Sequence, residues 1–199
     1  MKKLLPILLA ICLLLVSTIA AGEDADAEAL LQEGLAAFDS GDYATAFQCF
    51  QKAADAGLAG GQYNLGICWR DGNGTEKDEE KAVELFQLSA EQGYAPAQTE
   101  LGVCYLTGTG AEQDYELAFS YLVLAATQGD ARAKYIMGDC YENGKGVEQS
   151  YLAAALAYWQ AYRQGVEEAY EKALLCYQKA DAQGDVKEFI QEITKKPEE

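Results

Sequence analysis

Cys68, Cys104, Cys140 and Cys176 stand 36 residues apart, a spacing regular enough to ask what four thiols could do together. Thiols form disulfides, bind soft metals as thiolates, or act as redox nucleophiles. A structural metal site needs close pairs such as C-x-x-C, and no two cysteines of this chain have that spacing. The chain has no histidine, which excludes a Ser-His-Asp triad and His-ligated metal sites. Acidic residues are plentiful, 32 against 15 Lys and Arg, but no spacing singles out an acid–base couple. Asp71-Gly72-Asn73-Gly74-Thr75 opens like a calcium loop. An EF-hand needs Gly at its sixth position and Glu at its twelfth, where this chain has Glu76 and Ala82. The S-x-x-K pattern of serine acyltransfer enzymes is absent. The expectation is therefore no catalytic residue, no cofactor and no metal.

The elements that hold these cysteines repeat with the same period. Gly57, Gly93, Gly129 and Gly165 share the 36-residue step, the mark of one supersecondary unit stacked repeatedly. Each unit begins at its glycine and continues with a small residue (Gly61, Ala97, Ala133, Ala169). An apolar-Gly pair follows (Leu65-Gly66, Leu101-Gly102, Met137-Gly138), then an aromatic (Trp69, Tyr105, Tyr141). That spacing predicts a first helix whose central glycine admits a close neighbour. Gly72-Asn73-Gly74, Gly108-Thr109-Gly110 and Gly144-Lys145-Gly146 end it, with the first glycine in the left-handed position. A second helix follows, with Ala82, Ala118 and Ala154 one turn before Phe86, Leu122 and Tyr158. The units are 57–92, 93–128 and 129–164. Residues 26–56 form a shorter hairpin. Residues 165–196 form a cap: a helix from Glu167 to about Lys179, then an amphipathic one from Val186 to Lys195. The fold class is an all-α right-handed solenoid of antiparallel helix pairs.

Within such a stack, equivalent positions lie on the order of 10 Å apart, while a disulfide needs Cα atoms within about 7 Å. The cysteine ladder cannot bridge along itself, and its members read as small buried fillers between helices. A Cys49–Cys68 bridge and a thiolate redox or metal site stand as alternatives.

The chain opens with Met1-Lys2-Lys3, an apolar run from Leu4 to Val16, and small residues to Ala21. That is the pattern of a secretory signal peptide, placed at 1–21, with Thr18 and Ala20 fitting a cleavage site. Ile11 is too large for the residue before a lipidated cysteine, so Cys12 is not a lipid anchor. Loss of Lys2 and Lys3 takes the net charge from −17 to −19. An acidic body of this kind disfavours nucleic acid and anionic lipid, and favours a basic partner. The expectation is an exported chain, periplasmic or secreted. It would be a single-domain monomer with no stable membrane insertion.

The pattern A-x3-LG-x2-[YW]-x2-G-x-G, followed by an alanine and an aromatic, resembles the Sel-one-like repeat, a relative of the tetratricopeptide repeat. Three full copies cover residues 57–164. Gly34, Gly41, Asp42, Tyr43, Ala46, Phe50 and Ala53 follow the shorter tetratricopeptide pattern itself. Family members with disulfides link the two helices of one repeat; this chain lacks the second cysteine in each unit. The resemblance implies that first helices line a concave groove. Its lining would be Leu31, Leu35 and Phe38; Tyr63, Ile67 and Arg70; Thr99, Val103 and Leu106; and Arg132, Tyr135, Asp139 and Glu142. The N-terminal part of that lining is apolar and the C-terminal part polar, which suits capture of a protein or peptide. The function implied is a non-catalytic scaffold or adaptor of the bacterial cell envelope. The alternative is a cell-wall or β-lactam-interacting hydrolase-like protein, a class of ligand proposed for some family members.

Overall fold

The computed structural model describes residues 26–183, and its described residues form nine α-helices and no strand. The expected signal segment and the expected helix from Val186 to Lys195 lie outside the described residues. Helix α1 spans 26–39. It is followed by α2 (Tyr43–Asp55), α3 (Ala59–Asp71), α4 (Glu79–Glu91), α5 (Ala95–Thr107), α6 (Tyr115–Thr127), α7 (Ala131–Asn143), α8 (Tyr151–Tyr162) and α9 (Ala169–Gln183). The chain divides into two compact units between Gln92 and Gly93. The first holds α1–α4 and the second α5–α9.

Both ends of each hairpin are built from periodic residues. Asp42, Asp78, Asp114 and Ser150 stand 36 apart and cap α2, α4, α6 and α8. Each side chain accepts from the backbone N–H three residues on, at 2.9–3.2 Å. Such a cap is worth about 1 kcal/mol. At the other end, Gly72, Gly108 and Gly144 adopt φ of 75°, 74° and 67° and donate to the carbonyls of Cys68, Cys104 and Cys140. The connecting loop then closes on its own first helix. The N–H groups of Asp78, Asp114 and Ser150 donate to the carbonyls of Trp69, Tyr105 and Tyr141 at 2.8–3.0 Å.

The mid-helix glycines do what their spacing predicts. A Cβ on Gly66, Gly102 or Gly138 would lie 2.5–2.7 Å from Phe86, Leu122 or Tyr158, each of them fully buried. In the first unit Leu31, Ala46, Phe50, Ala53, Leu65 and Cys68 form one core cluster. In the second, Leu122, Ala125, Ala133 and Cys140 form one cluster. Tyr158, Ala161, Ala173, Cys176 and Ala180 belong to another.

Two expectations need correction. The helix predicted from Glu167 to Lys179 is α9, Ala169–Gln183. Ala180 and Ala182 stand where other units carry turn glycines, so the helix continues past Lys179, and Ala180 is buried in it. Leu31 is not displayed on a groove. Gly60 has no side chain, Leu31 packs against it, and only 8% of Leu31 remains exposed.

Candidate functional site: the first-helix faces

In the first unit, α1 and α3 carry the apolar part of the predicted set. Leu35 and Phe38 are half-buried against the core. The Phe38 ring stands edge-on to Tyr43 at 5.1 Å and lies 6.4 Å from Phe50. Tyr63 is half-buried, its ring 6.0 Å from that of Phe86, and Ile67 is half-buried one turn further on. Arg70 forks onto both carboxylate oxygens of Asp71 at 2.7 and 2.8 Å. That guanidinium holds the Asp71 carboxyl below its usual range, against a smaller opposing effect of burial.

In the second unit, α5 and α7 behave differently from each other. On α5, Val103 is half-buried and Leu106 packs against the cluster around Leu122. Thr99 is only 1% exposed, and its hydroxyl has no hydrogen-bond partner among the described residues. It is a core residue, not part of a displayed face. On α7 every predicted residue takes part in a polar network. Arg132 pairs with Glu100, which is itself buried. Asp139 accepts from the Tyr158 hydroxyl at 2.6 Å and from Lys172 Nζ at 2.5 Å. Glu142 accepts from Lys179 Nζ at 2.7 Å and from the Tyr158 hydroxyl at 3.2 Å. Lys172 Nζ lies 4.7 Å from the Tyr135 ring centroid, in cation–π range.

The electrostatics follow from these contacts. Burial raises the Tyr158 phenol far above its ordinary value, and the facing Asp139 and Glu142 carboxylates add to it. Burial acts to raise Glu142, but the Lys179 ammonium outweighs it and the carboxyl ends below its ordinary value. Lys172 is raised: burial opposes its charge, and the bond to Asp139 overcomes that. The polar end of the predicted lining is thus satisfied from within, by Tyr158, Lys172 and Lys179.

Residue-type reasoning missed Glu100, Lys172 and Lys179. Their signal was in the period. Lys172 and Lys179 fall within one helical turn of Asp139 and Glu142 once 36 residues are subtracted. Two buried glutamines were missed for the same reason. Gln62 accepts from Gln92, and Gln98 from Gln128, both at 2.8 Å.

The ladder thiols are poor reagents. The five described cysteines are free and buried, so Cys49 and Cys68 are not bridged. Burial pushes Cys68, Cys140 and Cys176 up to about 11. Among the described residues no group of three or more His, Cys, Asp or Glu could hold a metal ion. No described helix is long and apolar enough to cross a membrane.

Helix hairpins that recur every 36 residues, with capped ends and glycine-admitted cores, define a class of helical-repeat protein. The chain belongs to the Sel1 repeat family, whose profile matches residues 27–58, 59–94, 95–130, 131–160 and 151–185. The first hairpin, expected to be tetratricopeptide-like, is thus also a Sel1 repeat. The chain is similar to the Sel1 repeat protein from Oxalobacter formigenes, at 30% identity and a TM-score of 0.68 over 76% of this chain and 64% of that one. It is also similar to c5321, a protective antigen of uropathogenic Escherichia coli with an SLR fold. Identity there is 29%, with a TM-score of 0.68, over 82% of this chain and 40% of that one. A stretch of 44 residues, 22% of this chain, is 54% identical to DAP3-binding cell death enhancer 1 of Rattus norvegicus, covering 9% of that protein. The chain therefore spans less than two thirds of each relative's length. The fold is an all-α helix-pair solenoid, and Sel1 repeats are in general non-enzymatic protein-interaction elements.

Proposed function

We propose that this chain is a non-catalytic scaffold or adaptor of the bacterial cell envelope that holds a protein or peptide on its first-helix faces. The observation that carries the reading is a set of apolar side chains that the fold leaves only partly covered: Ile67 in the first unit and Val103 in the second are half-buried on α3 and α5. Tyr63 and Leu106 flank them, each leaning on its own core. Half-buried apolar side chains on a repeat surface favour docking of an amphipathic helix or extended segment. The excess of 32 acidic over 15 basic residues favours a basic partner and its fast capture. Export rests on the Met1–Ala21 pattern; the N-terminal residue of protein recovered from cells tests it, with Ala21, Gly22 or Glu23 expected.

The decisive experiment compares two baits in capture from envelope extract: the parent, and a variant carrying Ile67→Asp and Val103→Asp. Circular dichroism first establishes that the variant keeps its helices. A partner bound by the parent and lost by the variant supports the first-helix face. Equal recovery by both baits removes it.

A further inference from the structure

We propose that the aromatic group at the α8–α9 turn, Trp159, Tyr162 and Tyr170, receives an arginine side chain of a partner protein. This goes beyond the scaffold reading and does not rest on the first-helix faces.

The chain brings three rings together at positions that are not aromatic one period earlier. Trp159 and Tyr162 stand in the last turn of α8, and Tyr170 in the first turn of α9. Their centroids are 5.4, 6.4 and 5.0 Å apart, with the rings tilted 37–48° to one another. Subtracting 36 residues gives Val123, Ala126 and Lys134. Contact among the rings does not bury them. Tyr162 remains 37% and Tyr170 38% exposed, and Trp159 is half-buried. Leu174, one turn beyond Tyr170, is also exposed and extends the same face.

The way this chain uses its cations points to the occupant. Lys81 lies 4.3 Å from the Trp69 ring centroid, Lys145 5.6 Å from that of Tyr115, and Lys179 5.0 Å from that of Tyr151. Those rings meet a positive charge from within the fold. Among the described residues no cation lies over Trp159, Tyr162 or Tyr170.

The border of the group carries the complementary charge. The Tyr170 N–H donates to the Glu167 carbonyl at 3.2 Å, which sets Glu167 one turn before that ring. Glu168 and Glu171 stand on either side in sequence, and all three glutamates are exposed. None pairs with a cation among the described residues. Between positions 159 and 171 these three carboxylates face one cation, Arg163. A neutral apolar segment would cover the rings and leave carboxylates beside it without a counter-ion. A polyanion would be repelled. A guanidinium answers both features, since its plane stacks on an aromatic face while its N–H groups reach carboxylates at the edge. The Tyr162 and Tyr170 phenol oxygens, which have no hydrogen-bond partner among the described residues, can accept as well. The rings touch one another, so the guanidinium meets their open faces and does not enter between them.

Tryptophan fluorescence tests this. In a Trp69→Phe chain, Trp159 is the sole tryptophan and reports on the site itself. The probe is triarginine peptide, with trilysine of equal charge for comparison, and circular dichroism checks that each variant keeps its helices. The expected result is a saturable change in Trp159 emission with triarginine, and a weaker response to trilysine. Tyr162→Ala and Tyr170→Ala should each weaken binding roughly three- to tenfold. Glu167→Gln, Glu168→Gln and Glu171→Gln together should weaken it more than Glu79→Gln, Glu80→Gln and Glu84→Gln, which remove the same charge from α4. No saturable change, tyrosine variants that bind like the parent, or equal losses from the two glutamine sets would each overturn the proposal. A response to uncharged chitotriose in place of triarginine would overturn it in favour of a sugar site.

Discussion

Replacing Tyr158 with Phe should destabilise the second unit by about 1.5–2.5 kcal/mol. The ring is fully buried, so the substitution leaves packing intact and removes one oxygen. That oxygen donates to Asp139 at 2.6 Å and faces Glu142 at 3.2 Å. A hydrogen bond to a charged acceptor is worth about 1.5–3 kcal/mol net. Asp139 keeps Lys172 and Glu142 keeps Lys179, so neither carboxylate is left alone, and the loss stays below the top of that range. Burying a phenol oxygen also has a desolvation cost, which the variant recovers. At 2–4 °C per kcal/mol for a chain of this size, the apparent Tm should fall by about 3–10 °C. Tyr158→Ala, which empties the core site, should cost about 3–5 kcal/mol. A cycle with Lys172→Met then isolates the network, because groups sharing one carboxylate should couple by about 0.5–3 kcal/mol. Thermal melts followed by helical circular dichroism give all four values. A Tyr158→Phe melt unchanged within error, or a cycle that is additive, would refute the claim that this oxygen organises the polar end of α7.

Three further outcomes are expected. Gly146 has φ of 70°, and an added Cβ would lie 1.9 Å from the Tyr115 carbonyl oxygen. Gly129 has φ of 97° and open space around it. Both alanine variants suffer the left-handed cost of about 1–2 kcal/mol, and only Gly146→Ala adds a backbone clash. Urea melts should rank Gly146→Ala clearly below Gly129→Ala; equal losses would contradict the packing at Tyr115. With thiols pushed up to about 11, roughly one in ten thousand is ionised at pH 7. A disulfide reagent should label Cys68 and Cys140 slowly in the native protein and rapidly in guanidinium, and fast native labelling would restore a thiol chemistry. Glu142 lies below its ordinary value of 4.5 in the fold, so it stabilises at higher pH and that contribution fades as pH falls through its folded value. Glu142→Gln should lower the neutral-pH Tm and flatten its acid limb; an unchanged limb would mean the Lys179 pair contributes nothing.

The periodic signals carried most of the architecture. Glycine phase located the hairpins, and the Gly66–Phe86, Gly102–Leu122 and Gly138–Tyr158 contacts were legible because a mid-helix glycine must have a steric reason to persist across units. The caps at Asp42, Asp78, Asp114 and Ser150 were equally periodic, yet they went unread because one polar residue before a helix looks like any loop residue. Side-chain exposure was less legible. Leu31 and Thr99 sit at offsets that should face outward, but burial depends on the neighbouring helix, and a glycine at position 60 opens a hole that Leu31 fills. The extension of α9 past Lys179 depended on a missing signal, since Ala180 and Ala182 stand where other units carry turn glycines.

One column of the repeat explains why the predicted lining changes from apolar to polar. Phe86, Leu122 and Tyr158 occupy equivalent positions, each pressed onto the glycine of its first helix. Phenylalanine and leucine ask nothing more of their surroundings. Tyrosine brings a hydroxyl to a fully buried site, and that hydroxyl needs an acceptor. The acceptors come from the two columns where the preceding units carry Ile67 and Val103, then Arg70 and Leu106; here they are Asp139 and Glu142. Two half-buried carboxylates in turn need cations, and α9 supplies Lys172 and Lys179. The polarity of α7 is therefore a consequence of its core, set by Tyr158, and not by itself a sign of what the surface recognises. On the proposed recognition faces, the first of these columns stays apolar in the preceding units, at Ile67 and Val103. A partner that depends on these two side chains and is indifferent to Asp139→Asn would fit this division of roles.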